Sequence, residues 1–114
     1  MGKPTQGKVA ARLTAVRAHV GKNVTEMAAW LDVPRSRYSN WEHEGGNFPA
    51  EETIAALCDQ VPGLTMDYIY RGRLDGMPIA LAIQLTAREL GEDPSAPGYD
   101  PARAAALAMA RATA

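Results

Sequence analysis

The sequence predicts an all-α fold, and three observations support this prediction. Apolar residues recur three or four positions apart, as they do on the buried face of a helix. The first such stripe consists of Val9, Leu13, Val16 and Val20. Residues that favour helix starts and stops (Asn, Thr, Pro and Gly) stand at the ends of the periodic segments. The 114 residues are enough to bury one core, so we expect one domain.

Start and stop signals divide the chain into helices in a clear order. Residues 1–7 contain Gly2, Pro4 and Gly7, and we expect them to form a mobile arm. Helices are then predicted at residues 8–20, 25–31, 35–42, 49–61, 65–70 and 78–90. Asn23 is the expected N-cap of the second of these helices, because its side-chain oxygen can accept a bond from an unpaired amide. We expect Phe48, in the loop before residue 49, to pack on the core.

Composition excludes several classes of protein. No run of 18 apolar residues occurs, so no transmembrane helix is expected. The first residues lack the apolar segment of a secretory signal, so we expect no secretion. The single cysteine, Cys58, cannot form an internal disulfide, which fits a reducing cytoplasm. The sequence therefore predicts a cytoplasmic protein.

Charge is distributed unevenly along the chain. The net charge is only −1, which by itself weakly opposes nucleic-acid binding. Residues 1–41, however, contain seven Lys and Arg against two acids, whereas residues 42–114 contain five against eleven. A basic end of this kind is typical of a surface that meets an acidic partner such as DNA. Chance segregation of charge is the alternative explanation.

Residues 25–42, T-E-M-A-A-W-L-D-V-P-R-S-R-Y-S-N-W-E, predict two short helices joined by a tight turn. Asp32 stands at the turn, and Asp tolerates left-handed backbone angles better than most residues. Pro34 can start the second helix because an amide in the first turn has no helical partner. Tyr38 and Trp41 share one face of that helix, so both should point into the core.

The opposite face of the second helix is polar and contains no carboxylate. It presents Ser36 and Asn40, flanked by Arg35, Arg37 and Ser39. In a DNA major groove, Arg pairs with guanine, Asn pairs with adenine, and Ser suits either base. This helix is therefore a candidate for reading DNA. An ordinary solvated helix face is the alternative interpretation of the same pattern.

The run A-x-x-L-D-V-P-R-S-R-Y-S-N-W-E resembles the helix-turn-helix of the phage-repressor (Cro/cI-type, XRE) family. The positions that match the family pattern are Ala28, Leu31, Val33, Ser39, Trp41 and Glu42. The resemblance covers residues 9–74 and includes T-M-D-Y-I-Y-R-G at residues 65–72, which is similar to the family's closing helix. It implies a lambda-repressor-like five-helix DNA-binding domain, which we assign to residues 8–76. It also implies a transcriptional regulator that binds double-stranded DNA.

The resemblance further implies which side chains contact DNA. By position, Arg35, Ser36 and Asn40 would reach the bases. Backbone contacts are expected from Arg17, Lys22, Asn23, Thr25, Arg37 and Ser39. Two positions depart from the family pattern. Asp32 replaces the usual turn glycine, and Val24 stands where many members carry a Gln that supports a phosphate contact.

The C-terminal third predicts one further helix and a tail. The helix, within residues 77–91, has apolar positions at Ile79, Ala82, Ile83, Thr86 and Leu90, with Leu81 and Leu85 on a neighbouring stripe. This apolar surface is wide enough either to pack on the chain's own core or to pair with a second copy in a homodimer. Residues 92–114 form a turn-rich linker and an Ala-rich tail, expected to be a weakly structured, partly frayed helix that is ordered only by docking or assembly.

The sequence bears on three functional classes. The favoured one is a sequence-specific regulator, expected to be a homodimeric repressor on a palindromic operator. The alternative is an antitoxin-type module, whose tail binds a protein partner and whose DNA binding is autoregulatory. An enzyme is not expected, because no nucleophile–base pair, phosphate loop or metal-ligand cluster stands out. No cofactor or metal is expected either.

Overall fold

The computed structural model describes residues 5–113, and every regular element within that range is an α-helix. The helices are α1 (Gln6–Val20), α2 (Val24–Trp30), α3 (Arg35–Trp41), α4 (Glu51–Gln60), α5 (Met66–Arg71), α6 (Ile79–Glu89) and α7 (Pro101–Thr113). This confirms the predicted all-α fold class. None of these seven helices has both the length and the apolar character that a membrane crossing requires.

The three segments predicted from the sequence, residues 8–76, 77–91 and 92–114, share one hydrophobic core. The buried side chains come from α1 through α7, and the largest fully buried ones are Tyr38, Tyr68, Leu13, Met27, Ile54, Leu57, Ile69, Leu85, Val9 and Val16. Leu81 and Leu85 of α6 and Ala108 of α7 belong to the same apolar cluster as Val9 and Leu13 of α1. The last two helices are therefore part of the globule that carries the helix-turn-helix segment.

Helix α1 begins two residues earlier than predicted, at Gln6. The predicted arm of residues 1–7 is therefore too long, and residues 1–4 of that arm lie outside the described residues. The start is fixed by a tertiary contact, since the Gln6 amide bonds with backbone groups of residues 41, 45 and 47. A contact between residues so far apart in the chain cannot be predicted from the local sequence. At the other end, Gly21 adopts a left-handed conformation with φ of 74° and stops the helix.

Helices α4 and α5 follow the predicted start signals closely. Ala50 is the N-cap of α4, so Pro49 precedes this helix where it was predicted to open it. Ile54 and Leu57 form its buried face, as predicted. Helix α5 is capped by Thr65, whose Oγ1 accepts a hydrogen bond from the amide of Tyr68 at 3.1 Å.

The predicted apolar stripe of α6 is buried only in part, since Ala82 and Thr86 of that stripe are buried but its two end positions are not. Leu81 and Leu85 are buried, whereas Ile79 is 62% exposed and Leu90 is 52% exposed. Helix α6 packs against both α1 and α7. Ile79 is its first residue and Leu90 is its C-cap, so both lie at the ends of the helix, beyond the buried middle. Which apolar residues of α6 are buried depends on where the neighbouring helices lie. The spacing of apolar residues in the sequence does not give those positions.

The C-terminal tail was predicted to be weakly structured unless docking ordered it, and the structure shows it docked. Helix α7 is docked against α6, with Ala104 fully buried and Ala108 almost so. Polar contacts complete the docking: Arg103 pairs with Glu92, and Arg111 pairs with Glu89 at 3.0 Å. This docking does not depend on large apolar anchors, because the buried positions are alanines that let two helices approach closely.

Candidate nucleic-acid interface

The α2–α3 segment has the geometry of two helices joined by a tight turn. The amide of Asp32 donates to the carbonyl of Ala29 at 3.2 Å, and the amide of Val33 donates to that of Ala28 at 3.0 Å. Asp32 has φ of 57°, the only positive φ of a non-glycine residue among the described residues. The predicted left-handed turn without glycine is therefore confirmed. Pro34 occupies the N-cap position of α3, one residue before the helical start.

Two aromatic side chains anchor α3 to the core, as predicted. Tyr38 is fully buried and Trp41 is 4% exposed. Their rings meet edge to face with centroids 6.1 Å apart, a favoured arrangement for an aromatic pair. Because both rings point inward, the helix can present only its opposite side to a partner.

That opposite side is accessible. Arg35, Ser36, Arg37 and Asn40 are exposed, and Ser39 is partly exposed. The structure therefore brings the three predicted base-contacting residues, Arg35, Ser36 and Asn40, onto one open surface. We call the surface formed by residues 35, 36, 37 and 40 the outer face of α3.

Two side chains of the outer face are held by the protein itself. The Nε of Arg35 donates to Oγ1 of Thr25 at 2.8 Å, which links α3 to the first turn of α2. The Oδ1 of Asn40 accepts a hydrogen bond from the amide of Asn47 at 2.8 Å. Both contacts limit side-chain freedom before any partner binds, which reduces the entropic cost of binding.

Of the residues predicted to contact a DNA backbone, Lys22, Asn23 and Thr25 lie at the start of α2, whereas Arg37 and Ser39 lie on α3. Asn23 caps this helix through a reciprocal pair: its Oδ1 accepts from the amide of Glu26 at 2.8 Å, and its own amide donates to Oε1 of Glu26 at 2.9 Å. The Nζ of Lys22 lies 4.7 Å from the centroid of the Trp30 ring, a cation–π contact. Asn23 and Lys22 therefore already have partners within the protein.

Arg17 is fixed inside the molecule. Its Nε and Nη2 donate to the two carboxylate oxygens of Glu42 at 2.8 and 3.1 Å, and its Nη1 donates to the carbonyl of Lys22 at 3.1 Å. Oε1 of Glu42 also accepts from the Thr14 hydroxyl at 2.9 Å. The bond to Glu42 raises the pKa of Arg17. This arrangement ties α1 to the end of α3, so Arg17 has a structural role, and its assignment as a backbone contact stays a prediction.

A second support of α3 was missed by the sequence reading. The Nε2 of Gln6 donates to the carbonyls of Trp41 and Asn47 at 3.2 and 3.3 Å. Its Oε1 accepts from the amide of Gly45 at 2.9 Å. One side chain therefore fixes the loop that follows α3. No local signal could have identified this role, because the partners lie 35 or more residues away.

Comparison of the chain with protein-family models, with curated proteins and with solved structures finds no match.

Proposed function

We propose that this protein is a sequence-specific transcriptional regulator that binds double-stranded DNA, acting as a repressor. Helices α1–α5 would then form a lambda-repressor-like DNA-binding domain of the phage-repressor (Cro/cI-type, XRE) kind. One observation carries the proposal. A short helix held by two buried aromatic rings presents two guanidinium groups, a hydroxyl and an amide on an open surface without a carboxylate.

The chemistry of the outer face matches the edges of base pairs. The guanidinium of Arg35 can donate two hydrogen bonds to guanine, and its Nε bond to Thr25 leaves the terminal nitrogens available. The amide of Asn40 can bind adenine, because Oδ1 keeps a second lone pair beside its bond to Asn47. Ser36 would accept or donate as the base requires.

Affinity would come mainly from the phosphates. Lys22 and Arg37 supply positive charge on either side of the α2–α3 turn, and Thr25, Asn23 and Ser39 supply neutral hydrogen-bonding groups. Contacts of this kind fix the register of a protein on the duplex, whereas base contacts carry the sequence information. The affinity of the proposed complex should therefore fall as the salt concentration rises.

Selection from a pool of random duplexes tests this proposal directly. The expected result is an enriched consensus with two half-sites about one helical turn apart, as two-fold symmetric binding requires. Binding to the consensus should weaken as salt increases, and it should exceed binding to random duplexes at both of two salt concentrations. Equal affinity for all duplexes, or no binding at low salt, would contradict the proposal.

Exposed apolar side chains on α6 favour a homodimer. Ile79 and Leu90 are both more than half exposed, and a second copy could cover them. The antitoxin-type alternative relied on a tail that folds only on a partner. Since α7 is already docked against α6, that argument does not apply to this chain. A regulator that pairs with its own copy is therefore the better candidate.

A further inference from the structure

A cavity of about 380 Å³ opens between α1, α6 and α7, and it is separate from the outer face of α3. Its lining includes the cations Lys8, Arg12 and Arg111 and the carboxylate of Glu89. Apolar side chains, Leu90 and Leu107 among them, form another part of its wall. Its volume lies within the range of small-molecule sites, which is roughly 300–1,000 Å³.

The single carboxylate of this cavity is already occupied. Oε2 of Glu89 accepts from the Tyr68 hydroxyl at 2.5 Å and from Nη1 of Arg111 at 3.0 Å. Nη2 of Arg111 also donates to the carbonyl of Gly72 at 3.0 Å. The hydrogen bonds of Glu89 therefore go to Tyr68 and Arg111, and Glu89 acts on Arg12 only through space.

Arg12 is buried without a carboxylate bonded to it. The residue is 9% exposed, and its Nη1 donates to the carbonyl of Ile69 at 3.3 Å. Within the described part of the chain, its Nε is buried and has no hydrogen-bond partner. A buried cation that is not fully paired is unfavourable, so an anion that reached it would be bound strongly.

We propose that this cavity binds a small organic monoanion, a carboxylate attached to an apolar chain. The carboxylate would pair with the guanidinium of Arg12, and the chain would cover Leu90 and Leu107. One unmatched buried charge fits a monoanion better than a doubly charged phosphate. The exposed Lys8 at the rim adds attraction for an incoming anion.

The test is calorimetric titration of the full chain with sodium octanoate in the absence of DNA. The expected result is saturable binding of one octanoate per chain. Octanamide, which lacks the charge, and acetate, which lacks the chain, should each bind at least about tenfold more weakly. Failure to saturate up to about 10 mM octanoate, or equal binding of octanamide, would overturn the proposal.

Variants locate the site. Arg12→Met should abolish octanoate binding, whereas Arg37→Met should leave it unchanged, because Arg37 is exposed on α3 and does not line this cavity. If Arg12→Met does not fold, Leu107→Asn provides the second measurement. Leu107 is 39% exposed, so this change is compatible with folding, and it should weaken octanoate binding about tenfold.

Unchanged affinity in a folded Arg12→Met protein, or in Leu107→Asn, would overturn the assignment of the site. Because no DNA is present in these titrations, their outcome is independent of the proposed DNA binding.

Discussion

The amide of Asn40 would have two tasks in the proposed regulator. Within the protein its Oδ1 accepts from the amide of Asn47, and on DNA the same group would read adenine. Asn40→Ala should therefore weaken binding to the selected site by about 1–3 kcal/mol, with a much smaller effect on random duplexes. Titrations of both duplexes measure the difference.

Arg37→Ala is the matched control on the same helix. It should weaken binding to the selected duplex and to random duplexes alike. It should also reduce the slope of log affinity against log salt by about 1, as loss of one phosphate contact does. Equal losses for Asn40→Ala on the two duplexes would contradict its role as a base reader.

Substitution of Gly72 tests its close contact with Arg12, and substitution of Gly21 is the matched control. Both end helices with nearly equal φ, 73° and 74°. A Cβ at Gly72 would lie 2.6 Å from Nη2 of Arg12, whereas a Cβ at Gly21 would meet nothing within 4 Å. Gly21→Ala should cost about 1 kcal/mol for backbone strain alone. Gly72→Ala should cost at least about 1 kcal/mol more, because the buried guanidinium must move.

Urea unfolding of the two variants provides this comparison. Equal urea midpoints for the two variants would mean that the guanidinium of Arg12 can move away from residue 72 without loss of stability.

At the scale of single residues, the sequence predicted what depends on near neighbours. The cap at Asn23 and the left-handed turn at Asp32 are both local, and both are confirmed. The expectation that Phe48 packs on the core is wrong, since this side chain is 48% exposed. Whether an apolar loop residue is covered depends on distant segments, which the local pattern does not describe.

At the scale of elements, the ion pair between Arg17 of α1 and Glu42 at the end of α3 holds α3, the proposed DNA-contacting helix, in place. The Glu42 side chain is 9% exposed and that of Arg17 is 22% exposed. Glu42→Ala should lower the free energy of unfolding by about 3 kcal/mol, because it leaves a largely buried guanidinium without its carboxylate. Chemical denaturation gives this value directly.

Glu44→Ala removes an exposed carboxylate two residues further on, and it should change stability by no more than about 0.5 kcal/mol. If the two variants lose equal stability, the ion pair is not the support described here.

The docking of α7 is testable through its alanines. Ala108 is 1% exposed and packs in the core, so Ala108→Leu should destabilise the protein by about 1–3 kcal/mol through overpacking. Ala106→Leu, on the exposed side of the same helix, should stay within about 0.5 kcal/mol of the parent protein. Thermal unfolding of both variants separates a docked α7 from a loose one, for which the two changes would be equivalent.

Element types were easier to predict than element faces. Helix α3 was predicted within one residue, because its turn, its start and its aromatic pair are all local. For α6 the start was also correct within one residue, but its buried face was predicted only in part, since that face depends on α1 and α7. The proposed outer face of α3 could be foreseen from sequence, whereas its supports, Gln6 and the Arg17–Glu42 pair, are long-range contacts.

At the scale of the whole molecule, folding alters the charge pattern seen in the sequence. The basic first 41 residues contain seven cations, but Arg12 is buried and Arg17 pairs with Glu42. Fewer cations are therefore available to DNA than the count indicates. For the proposed regulator, the salt dependence of DNA binding should therefore be smaller than seven cations would give.

The exposed apolar residues of α6 give the prediction for assembly. Ile79→Ser should weaken self-association at least about tenfold, because burial of an isoleucine side chain contributes about 1.5–3 kcal/mol. Ala80→Ser, at the neighbouring exposed position, is the control and should associate like the parent. Sedimentation equilibrium measures both. Identical association of the two variants would place the interface elsewhere.

The position of the two tryptophans has a practical consequence. Trp41, the last residue of α3, is buried in the core. Trp30 is partly exposed and has the ammonium of Lys22 over its ring. A phosphate that draws Lys22 away would remove a positive charge from Trp30 and leave Trp41 in the same surroundings. In the proposed regulator, the fluorescence of Trp30 would therefore respond to a duplex, and that of Trp41 would serve as an internal standard.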